Sequence, residues 1–318
     1  MAAVGTAPLS EEDTERIKQG YPSTVLNLGH KLIRTIPGNY VLPAAYEKVK
    51  DRIKCWDVRK DDIYVFAFPK NGTTWTQELV WCVQNDCDIG KAKSVDLMER
   101  VPFLEAPVLL HFLDDDAICA IENMASPRIL KSHLAFCLFP DDLLDKSKVV
   151  LCLRNPKDTV VSFYHHQQLM KHLNFVGEFK TFFNLFMDDL CNFCPYFDYV
   201  AEAWQRRNHP NMCILFYEEM KADLAGNVRR VARFLQKEMT VGQVQILVDH
   251  LSFKKMKENK AVNMESLREK NLLTTKGDFI RKGEVGDWKN YFDDEMNKRM
   301  NEAIEKYLKP IGLEFRYE

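Results

Sequence analysis

The chain has 318 residues, 46% of them hydrophobic and 28% charged, a composition typical of globular rather than disordered or fibrous proteins. Its 44 basic and 46 acidic residues give a formal net charge of -2, which excludes recruitment of nucleic acid or membranes by a bulk positive field. Residues 1–16 hold no apolar stretch long enough for a signal sequence or a membrane span. We therefore expect a cytoplasmic protein without a nucleic-acid or membrane partner, whose nine cysteines are reduced.

Apolar runs of strand length alternate with helix-length segments along the chain. The runs at residues 63–68, 149–153 and 213–217 predict buried strands, and a segment of helical character follows each of them. This alternation favours βαβ units with helices on both faces of the sheet. We predict an α/β fold with a central parallel β-sheet flanked by helices.

The two ends of the chain carry simpler signals. Residues 293–308 have helical spacing of apolar and charged residues, and Pro310 and Gly312 are expected to end that helix. No convincing linker divides the remainder. We predict a flexible N-terminal arm over residues 1–20 and a single domain over residues 21–318.

The most informative stretch is the loop that follows the first predicted strand, and it reads Phe68-Pro69-Lys70-Asn71-Gly72-Thr73-Thr74-Trp75. A strand, a Gly-containing loop and a helix N-terminus together gather backbone N–H groups around a phosphate or sulfate. The lysine precedes the only glycine, whereas the loop that binds ATP places its lysine after the second glycine. The stretch predicts a P-loop-like site for a phosphorylated ligand other than ATP, with a tryptophan placed to stack on a base.

Two further segments carry residues suited to a second phosphate. Arg154 follows the second predicted strand, and Ser162 lies in the helix after it. Near the C-terminus Arg281 and Lys282 precede Gly283, which suits a doubly charged phosphate bound by side chains and backbone N–H groups. Taken singly, each segment also fits an ordinary capped or solvated turn. Three such segments in one chain favour a ligand with phosphate groups at two ends of a nucleoside.

Together these segments resemble the cytosolic sulfotransferases, which move a sulfuryl group from 3′-phosphoadenosine-5′-phosphosulfate (PAPS) to small hydroxyl or amine acceptors. The family's phosphosulfate loop, Y-P-K-S-G-T-T-W, corresponds to residues 68–75. The motifs K-[ST]-H, R-N-x-K-D-x-x-x-S and R-K-G-x-x-G-D-W-K stand at residues 131–133, 154–162 and 281–289. The resemblance also implies the family's fold and its chemistry.

The resemblance implies in-line transfer without a metal, with 3′-phosphoadenosine 5′-phosphate (PAP) as the product. Lys70 would stabilise the leaving 5′-phosphate, Lys131 would steady the sulfuryl oxygens or the acceptor, and His133 would be the general base. Trp75, Tyr217 and Phe253 would flank the adenine. The donor-binding residues implied are Lys70, Asn71, Gly72, Thr73, Thr74, Trp75, Arg154, Ser162, Tyr217, Phe253, Arg281, Lys282 and Gly283; those from Arg281 to Gly283, with Arg154 and Ser162, would hold the 3′-phosphate.

Several positions depart from the family pattern. Asn71 replaces a serine whose hydroxyl is taken to restrain the neighbouring lysine, so we expect a different rate of donor hydrolysis without acceptor. Leu251 replaces a threonine and removes one polar contact to adenine. In the acceptor pocket Phe103 keeps the expected aromatic ring. His166 stands in place of a phenylalanine and favours an acceptor with a polar or acidic group of its own.

The dimer signature of the family, K-x-x-x-T-V-x-x-x-E, is absent from residues 289–298, so we predict a monomer or a dimer formed elsewhere. Residues 76–81 and 100–105 resemble the arthropod branch of the family.

Three functions stay open at this point, all with a small-molecule partner. The first is sulfation of a small lipophilic phenol or alcohol. The second resembles the retinol dehydratases, in which transient sulfation activates an alcohol for elimination. The third is a non-catalytic PAPS or PAP binder, which Asn71 favours and the intact Lys70, Lys131 and His133 oppose.

Overall fold

The computed structural model describes residues 3–21, 32–106 and 116–318. Its strands are β1 (Gly5–Pro8), β2 (Leu32–Ile36), β3 (Val41–Pro43), β4 (Ile63–Ala67), β5 (Ile129–Ser132), β6 (Lys148–Leu153) and β7 (Met212–Phe216). Its α-helices are α1 (Glu11–Lys18), α2 (Lys50–Lys54), α3 (Thr73–Gln84), α4 (Ile89–Ser94), α5 (Leu97–Arg100), α6 (Asp116–Glu122), α7 (Leu143–Lys146), α8 (Pro156–Leu169), α9 (Phe179–Met187), α10 (Tyr196–Gln205), α11 (Tyr217–Ala222), α12 (Leu224–Leu235), α13 (Val241–His250), α14 (Phe253–Glu258), α15 (Glu265–Glu269) and α16 (Asp294–Tyr307). Short 3₁₀ turns cover Ala44–Lys48, Phe136–Leu138, Asp287–Asn290 and Lys309–Ile311.

A four-stranded parallel sheet in the order β5-β4-β6-β7 forms the centre of the fold. Alternate residues of β4 belong to two hydrophobic clusters on opposite faces of the sheet, with Tyr64 and Phe66 in one and Val65 in the other. Burial on both faces explains why these strands read as continuous apolar runs. The predicted α/β fold with a central parallel sheet is confirmed. β5 is a fourth strand, found only in the structure.

The carboxyl ends of these strands meet at one edge, and each is followed directly by a segment that the sequence singled out. The loop at 68–72 follows β4, His133 follows β5, Arg154 follows β6, and Tyr217 follows β7. Ligands of open parallel sheets bind at this edge. The topology therefore brings together segments that are far apart in the chain.

A buried ion pair aligns the other ends of two central strands. Arg128 precedes β5 and contacts Asp62, which precedes β4, through Nε–Oδ1 and Nη2–Oδ2 distances of 2.8 and 2.6 Å. Both side chains are almost completely buried. Because a buried charge needs a hydrogen-bonded partner, this pair strongly favours the observed pairing of β4 with β5.

The N-terminal segment differs from the flexible arm that we expected over residues 1–20. In its described part β1 pairs with β2 in a small antiparallel sheet, and α1 follows. Val4 and Ile17 are buried in the main hydrophobic cluster, and Lys50 Nζ donates a hydrogen bond to the Val4 carbonyl at 2.7 Å. The polar composition hid this packing because few side chains supply the apolar contact, namely the buried Val4 and Ile17 and the partly buried Leu9, and the pairing strand lies about 30 residues further along.

The C-terminal helix agrees with its prediction to within one residue at each end. α16 spans Asp294–Tyr307, with Asp293 as its N-cap, and the chain turns at Gly312, whose φ is 67°. Among the described residues we find no helix with the length and apolar character needed to cross a membrane.

Candidate active site

The loop between β4 and α3 has the geometry of an anion site. Gly72, with φ of 89°, precedes α3 without a side-chain cap, so the first N–H groups of this 12-residue helix are free for a ligand. A Cβ at Gly72 would lie 2.9 Å from the Tyr217 ring, which leaves room only for glycine. The Thr73 hydroxyl is buried and has no hydrogen-bond partner in the described structure. A phosphate would satisfy these groups.

A cavity of about 250 Å³ opens from this loop. Sixteen of the residues singled out from the sequence line it: Lys70, Gly72, Thr73, Thr74, Trp75, Phe103, Lys131, His133, Arg154, Ser162, His166, Tyr217, Phe253, Arg281, Lys282 and Gly283. Asn71 is not among the residues that line the cavity. It is fully buried, and its amide oxygen accepts a hydrogen bond from the Thr159 hydroxyl at 2.8 Å. The predicted residues thus converge on one site, although their individual roles stay predictions.

His133 is held in a defined tautomer. Its Nδ1 lies 2.6 Å from the Ala67 carbonyl oxygen, and because a carbonyl only accepts, Nδ1 carries the proton and Nε2 keeps its lone pair. The ring packs edge-to-face against Phe103 and Phe193, with centroids 5.2 and 5.5 Å away. Burial, and next the nearby Lys131 ammonium, lower the pKa of His133 well below its ordinary range. The imidazole is therefore neutral at physiological pH and able to accept a proton.

Glu105 supports this histidine from outside the predicted set. Its buried carboxylate accepts the His133 backbone N–H, and its other oxygen has no partner among the described residues. Burial raises the pKa of Glu105 to about 7, against the lowering effect of that N–H. The segment that carries Glu105 lies beside β5, where the Lys131 N–H donates to the Pro102 carbonyl at 2.8 Å.

Two lysines of the cavity, Lys70 and Lys131, are crowded cations. Burial lowers the pKa of Lys70 to about 7, with further lowering by Arg154, Lys131 and Arg281. Burial also lowers the pKa of Lys131 to about 8, and Glu105 opposes that change. An anionic ligand would relieve the repulsion among these groups and favour their charged forms.

Arg154 connects the loop at residues 68–72 with the C-terminal motif at residues 281–289. Its Nη1 donates to the Lys70 carbonyl at 3.3 Å, and its Nη2 donates to the Glu284 carbonyl at 3.2 Å. The guanidinium lies over the Tyr217 ring, 4.3 Å from the centroid. Its Nε is buried without a partner in the described residues, so this fork retains a donor for a ligand.

Two carboxylates that the sequence analysis did not assign organise the C-terminal motif. Asp158 accepts the backbone N–H groups of Gly286 and Trp288 at 2.8 and 3.0 Å, which attaches the motif to α8. Asp287 contacts Arg281 Nη2 and Lys282 Nζ, each at 2.6 Å. Burial raises the pKa of Asp287, but the hydrogen bonds from the two cations prevail and lower it to about 2. Both aspartates stand inside the motifs already quoted, which is the signal that would have identified them.

The adenine side of the predicted site is built from aromatic rings. Trp75 donates its Nε1–H to the Leu251 carbonyl at 2.9 Å and packs edge-to-face on Tyr217 at 5.6 Å. A Cβ at Gly283, where φ is 68°, would lie 2.2 Å from the Phe253 ring. Glycine therefore allows the motif to approach Phe253. The side chain of Leu251 is buried in the hydrophobic cluster on one face of the sheet. Its backbone oxygen, rather than its side chain, makes the polar contact in this region by accepting the hydrogen bond from Trp75.

The cavity also holds aromatic rings predicted to contact an acceptor. Phe103 and His166, the two predicted pocket residues, are both among its lining residues. The His166 ring lies 6.2 Å from Phe163 and 6.1 Å from Phe279 between ring centroids. Burial, and next Lys70, lower the pKa of His166 well below its ordinary range. We expect His166 to act as a neutral hydrogen-bonding group in this pocket.

A second polar cluster is formed by residues of α3 and α13 that do not line the cavity. The potential ligand atoms of Glu78, Cys82 and His250 lie within 4.8 Å of one another, and all three residues are buried. Glu78 also contacts Arg100 Nη2 at 2.8 Å and His250 Nε2 at 2.6 Å. Because Arg100 already compensates the carboxylate, we interpret the cluster as a buried ion-pair network that joins α3, α5 and the end of α13.

The parallel sheet, the anion loop and the cation-rich cavity are features typical of nucleotide-dependent group-transfer enzymes. Residues 60–312 match the family model described as the sulfotransferase domain. The luciferin sulfotransferase of Photinus pyralis is 34% identical over 283 residues, which cover 83% of this chain and 76% of that protein. Human sulfotransferase 1E1 is 32% identical over 278 residues, covering 85% of this chain and 93% of that protein.

The chain belongs to the PAPS-dependent sulfotransferase family, and it is a transferase. Among solved structures, retinol dehydratase in complex with androsterone and the inactive cofactor PAP superposes with a TM-score of 0.92 at 31% identity, covering 99% of each chain. A mouse sulfotransferase, SULT7A1, also complexed with PAP, has the same fold at a TM-score of 0.69 and 23% identity. Placement in the arthropod branch stays a prediction.

Proposed function

We propose that this protein transfers the sulfuryl group of PAPS to the hydroxyl of a small lipophilic phenol or alcohol, with His133 as the general base. The observation that carries the proposal is the neutral His133, whose Nδ1 proton is committed to Ala67, in one cavity with Lys70 and Lys131. A base and two cations around an apolar pocket suit proton removal from an acceptor and stabilisation of negative charge on a leaving phosphate.

The donor would be held at both of its phosphorylated ends. The free N–H groups of α3 and the unpartnered Thr73 hydroxyl suit the 5′-phosphosulfate. Arg154, Ser162 and the Arg281–Gly283 stretch suit the 3′-phosphate, and Trp75 with Phe253 suits the adenine. Lys70 would neutralise the charge that grows on the leaving 5′-phosphate, with no metal needed for that task.

The acceptor would occupy the aromatic half of the cavity with its hydroxyl at His133. In-line transfer requires the attacking oxygen, the sulfur and the leaving oxygen to be nearly collinear, so positioning by the pocket walls contributes much of the rate. His166 adds a hydrogen-bonding ring to an otherwise apolar wall. We therefore expect acceptors with a second polar or acidic group to be preferred over plain hydrocarbons of the same size.

A dehydratase activity is the second candidate. It is favoured by the similarity, over 99% of each chain, to retinol dehydratase bound to androsterone and PAP. In that case the sulfate ester would be transient and the final product would be dehydrated. The non-catalytic alternative depended on Asn71, and the burial of Asn71 against Thr159, with Lys70, Lys131 and His133 all lining the cavity, argues against it.

The first experiment is incubation of the purified protein with sulfur-labelled PAPS and a panel of phenols, steroids, retinoids and polar aromatic acids. We expect a labelled ester with at least one acceptor, and preference for polar aromatic acids would support the role of His166. Accumulation of a dehydrated product without ester would instead establish the second candidate. Tight PAP binding with neither product would contradict both catalytic proposals.

The lysines predict an alkaline loss of activity. Each lysine is charged below its pKa and neutral above it, so the cations are lost as the pH rises through about 7 for Lys70 and about 8 for Lys131. The pKa of His133 is low, so His133 stays neutral over this range and its titration does not change the pH dependence of the rate. We expect kcat/KM for the donor, which reports the free enzyme, to fall above about pH 7. Lys70→Arg, which keeps its charge, should move this limb upward; a flat profile in the wild type would contradict the assignment.

The oligomeric state stays a prediction of a monomer or of a dimer formed outside residues 289–298. Within the chain, Lys289 contacts Glu318 at 2.6 Å, and Asp293 caps α16 by accepting the Met296 N–H at 2.8 Å. These two residues therefore already have intramolecular partners.

A further inference from the structure

One wall of the cavity is formed by a single face of α8 and the residue that ends it. Phe163, His166, Gln167 and Met170 all line the cavity, and the last three follow Phe163 by three, four and seven residues. This spacing places the four side chains on one side of a helix. The α8 wall therefore combines apolar contact with polar groups that can orient a small molecule.

Gln167 is a buried polar residue of this wall. It is only 1% exposed, and yet it lines the cavity. Its side-chain oxygen, Oε1, accepts a hydrogen bond from the Tyr21 hydroxyl at 2.9 Å. Within the described residues its amide nitrogen, Nε2, makes no such bond, so the two N–H groups remain for a ligand. An amide that is held through its oxygen recognises hydrogen-bond acceptors and not donors.

Tyr21 reaches Gln167 from the N-terminal segment, 146 residues earlier in the chain. Its ring packs edge-to-face on Phe175, with the ring centroids 5.0 Å apart. Burial, and next the nearby Cys191 and Cys194, raise the pKa of Tyr21 well above its ordinary range. The hydroxyl therefore keeps the proton that it donates to Gln167.

The backbone of the N-terminal segment is attached to the same region. The Gly20 carbonyl accepts the N–H groups of Val176 and Gly177 at 2.9 and 3.3 Å. The N–H of Phe175 in turn donates to the Gln167 carbonyl at 3.1 Å. A Cβ at Gly20 would lie 2.1 Å from the Phe175 ring, so this approach requires glycine. The N-terminal segment is thus fixed against the part of the chain that carries Gln167.

We propose that Tyr21 is a positioning residue that holds the Gln167 amide with its N–H groups toward the cavity, where they favour acceptors with a carbonyl group besides the reactive hydroxyl. This inference rests on the proposed transfer to a small hydroxyl acceptor and names its class, a phenol or alcohol that carries a ketone, ester or amide. A carbonyl only accepts hydrogen bonds, so it complements an amide whose oxygen is already engaged. An acceptor without the carbonyl leaves the buried N–H groups unpartnered, which costs binding energy.

The test uses two pairs of probes that differ in the carbonyl group alone. The short pair is 4-hydroxyacetophenone and 4-ethylphenol, and the long pair is a keto-steroid alcohol and its deoxy counterpart. The carbonyl preference is the ratio of kcat/KM for the two members of a pair. Tyr21→Phe keeps the ring and removes the hydroxyl. In this variant we expect the preference to fall about two- to tenfold for at least one pair, mainly through KM, which is the range of a neutral hydrogen bond.

Two further variants test whether the effect passes through the amide. Gln167→Leu should lower the carbonyl preference to the same extent as Tyr21→Phe, and the double variant should lower it no further, because both changes remove one interaction. Tyr164→Phe is the matched control. The Tyr164 hydroxyl accepts a hydrogen bond from Gln168 Nε2 at 3.0 Å on the same helix, but neither residue lines the cavity. Its carbonyl preference should equal that of the wild type.

A second readout needs no transfer. Calorimetric titration of the PAP complex with each probe measures the carbonyl preference as a ratio of dissociation constants. We expect the same fall in Tyr21→Phe and Gln167→Leu as in the kinetic measurement. The affinity for PAP itself should be equal in all variants, which shows that the donor site is intact.

The outcomes distinguish this inference from the proposed function. A carbonyl preference that is unchanged in Tyr21→Phe and Gln167→Leu would overturn the inference. A fall in Gln167→Leu alone, or a loss of kcat and PAP affinity in Tyr21→Phe at constant preference, would overturn the positioning role of Tyr21. If the wild-type protein formed no ester with any acceptor, the proposed function would fail, and the calorimetric preference would still decide the role of Tyr21.

Discussion

Replacing His133 by alanine is expected to lower kcat by about 10²- to 10⁴-fold, the usual contribution of a general base. The reason is geometric, since the Ala67 carbonyl fixes the Nδ1 proton and leaves Nε2 free to accept the proton of the acceptor hydroxyl. The affinity for PAP should stay nearly unchanged, because the anion loop and the C-terminal motif are untouched. Initial rates with the best acceptor and calorimetric titration with PAP measure the two quantities.

His209→Ala is the matched control for this variant. His209 lies at the amino end of β7, partly exposed, and its Nε2 is 3.7 Å from Asp145, so its removal should leave turnover unchanged. Turnover retained in His133→Ala would exclude His133 as the base. Parallel loss of PAP affinity would show instead that the substitution disturbs the loop that follows β4.

The second large effect is expected at Arg281. Replacement by methionine, which keeps the aliphatic stem, should weaken PAP binding by about 10- to 100-fold, the range of a hydrogen bond to a charged group. Adenosine 5′-monophosphate, which carries a 3′-hydroxyl, should lose much less. Asp287 already orients the Arg281 guanidinium through a contact of 2.6 Å. The wild-type side chain is therefore preorganised to bind a second anion. Calorimetry with both nucleotides gives the ratio of losses.

Arg230→Met provides the control for charge. Arg230 is about half exposed on α12, and its Nη1 is 3.9 Å from Glu219. Its loss should change both nucleotide affinities by less than about twofold, within the weak effect of a surface ion pair. Equal losses for PAP and its 3′-hydroxyl analogue in Arg281→Met would refute the assignment of Arg281 to the 3′-phosphate.

The local features of this fold could be predicted because their signals lie in neighbouring residues. β4, β6 and β7 are continuous apolar runs, as expected for strands buried on both faces, and α16 has strong helical spacing. β5 was missed because it has four residues, one of them a lysine. The N-terminal strand and helix were missed because their stability comes from contacts with distant segments.

The residue types of the site were likewise identified from short motifs. These motifs were recognisable because the backbone of an anion loop and the fork of an arginine depend on few residues in close sequence. What the motifs could not show is which groups orient them. Asp158 contacts a loop 128 residues away, and Glu105 contacts the His133 backbone across 28 residues. Neither partner can be assigned until the strands are placed side by side.

The sequence by itself determined the fold class and the family and predicted the residues of a donor site, because strand burial and phosphate binding are properties of short segments. Only the tertiary structure decided how those residues are poised. Packing at the sheet edge gives His133 its tautomer, lowers the pKa of Lys70 by burial and brings Phe279 over its ammonium. Such effects arise from desolvation and from contacts between segments that only the folded chain brings together.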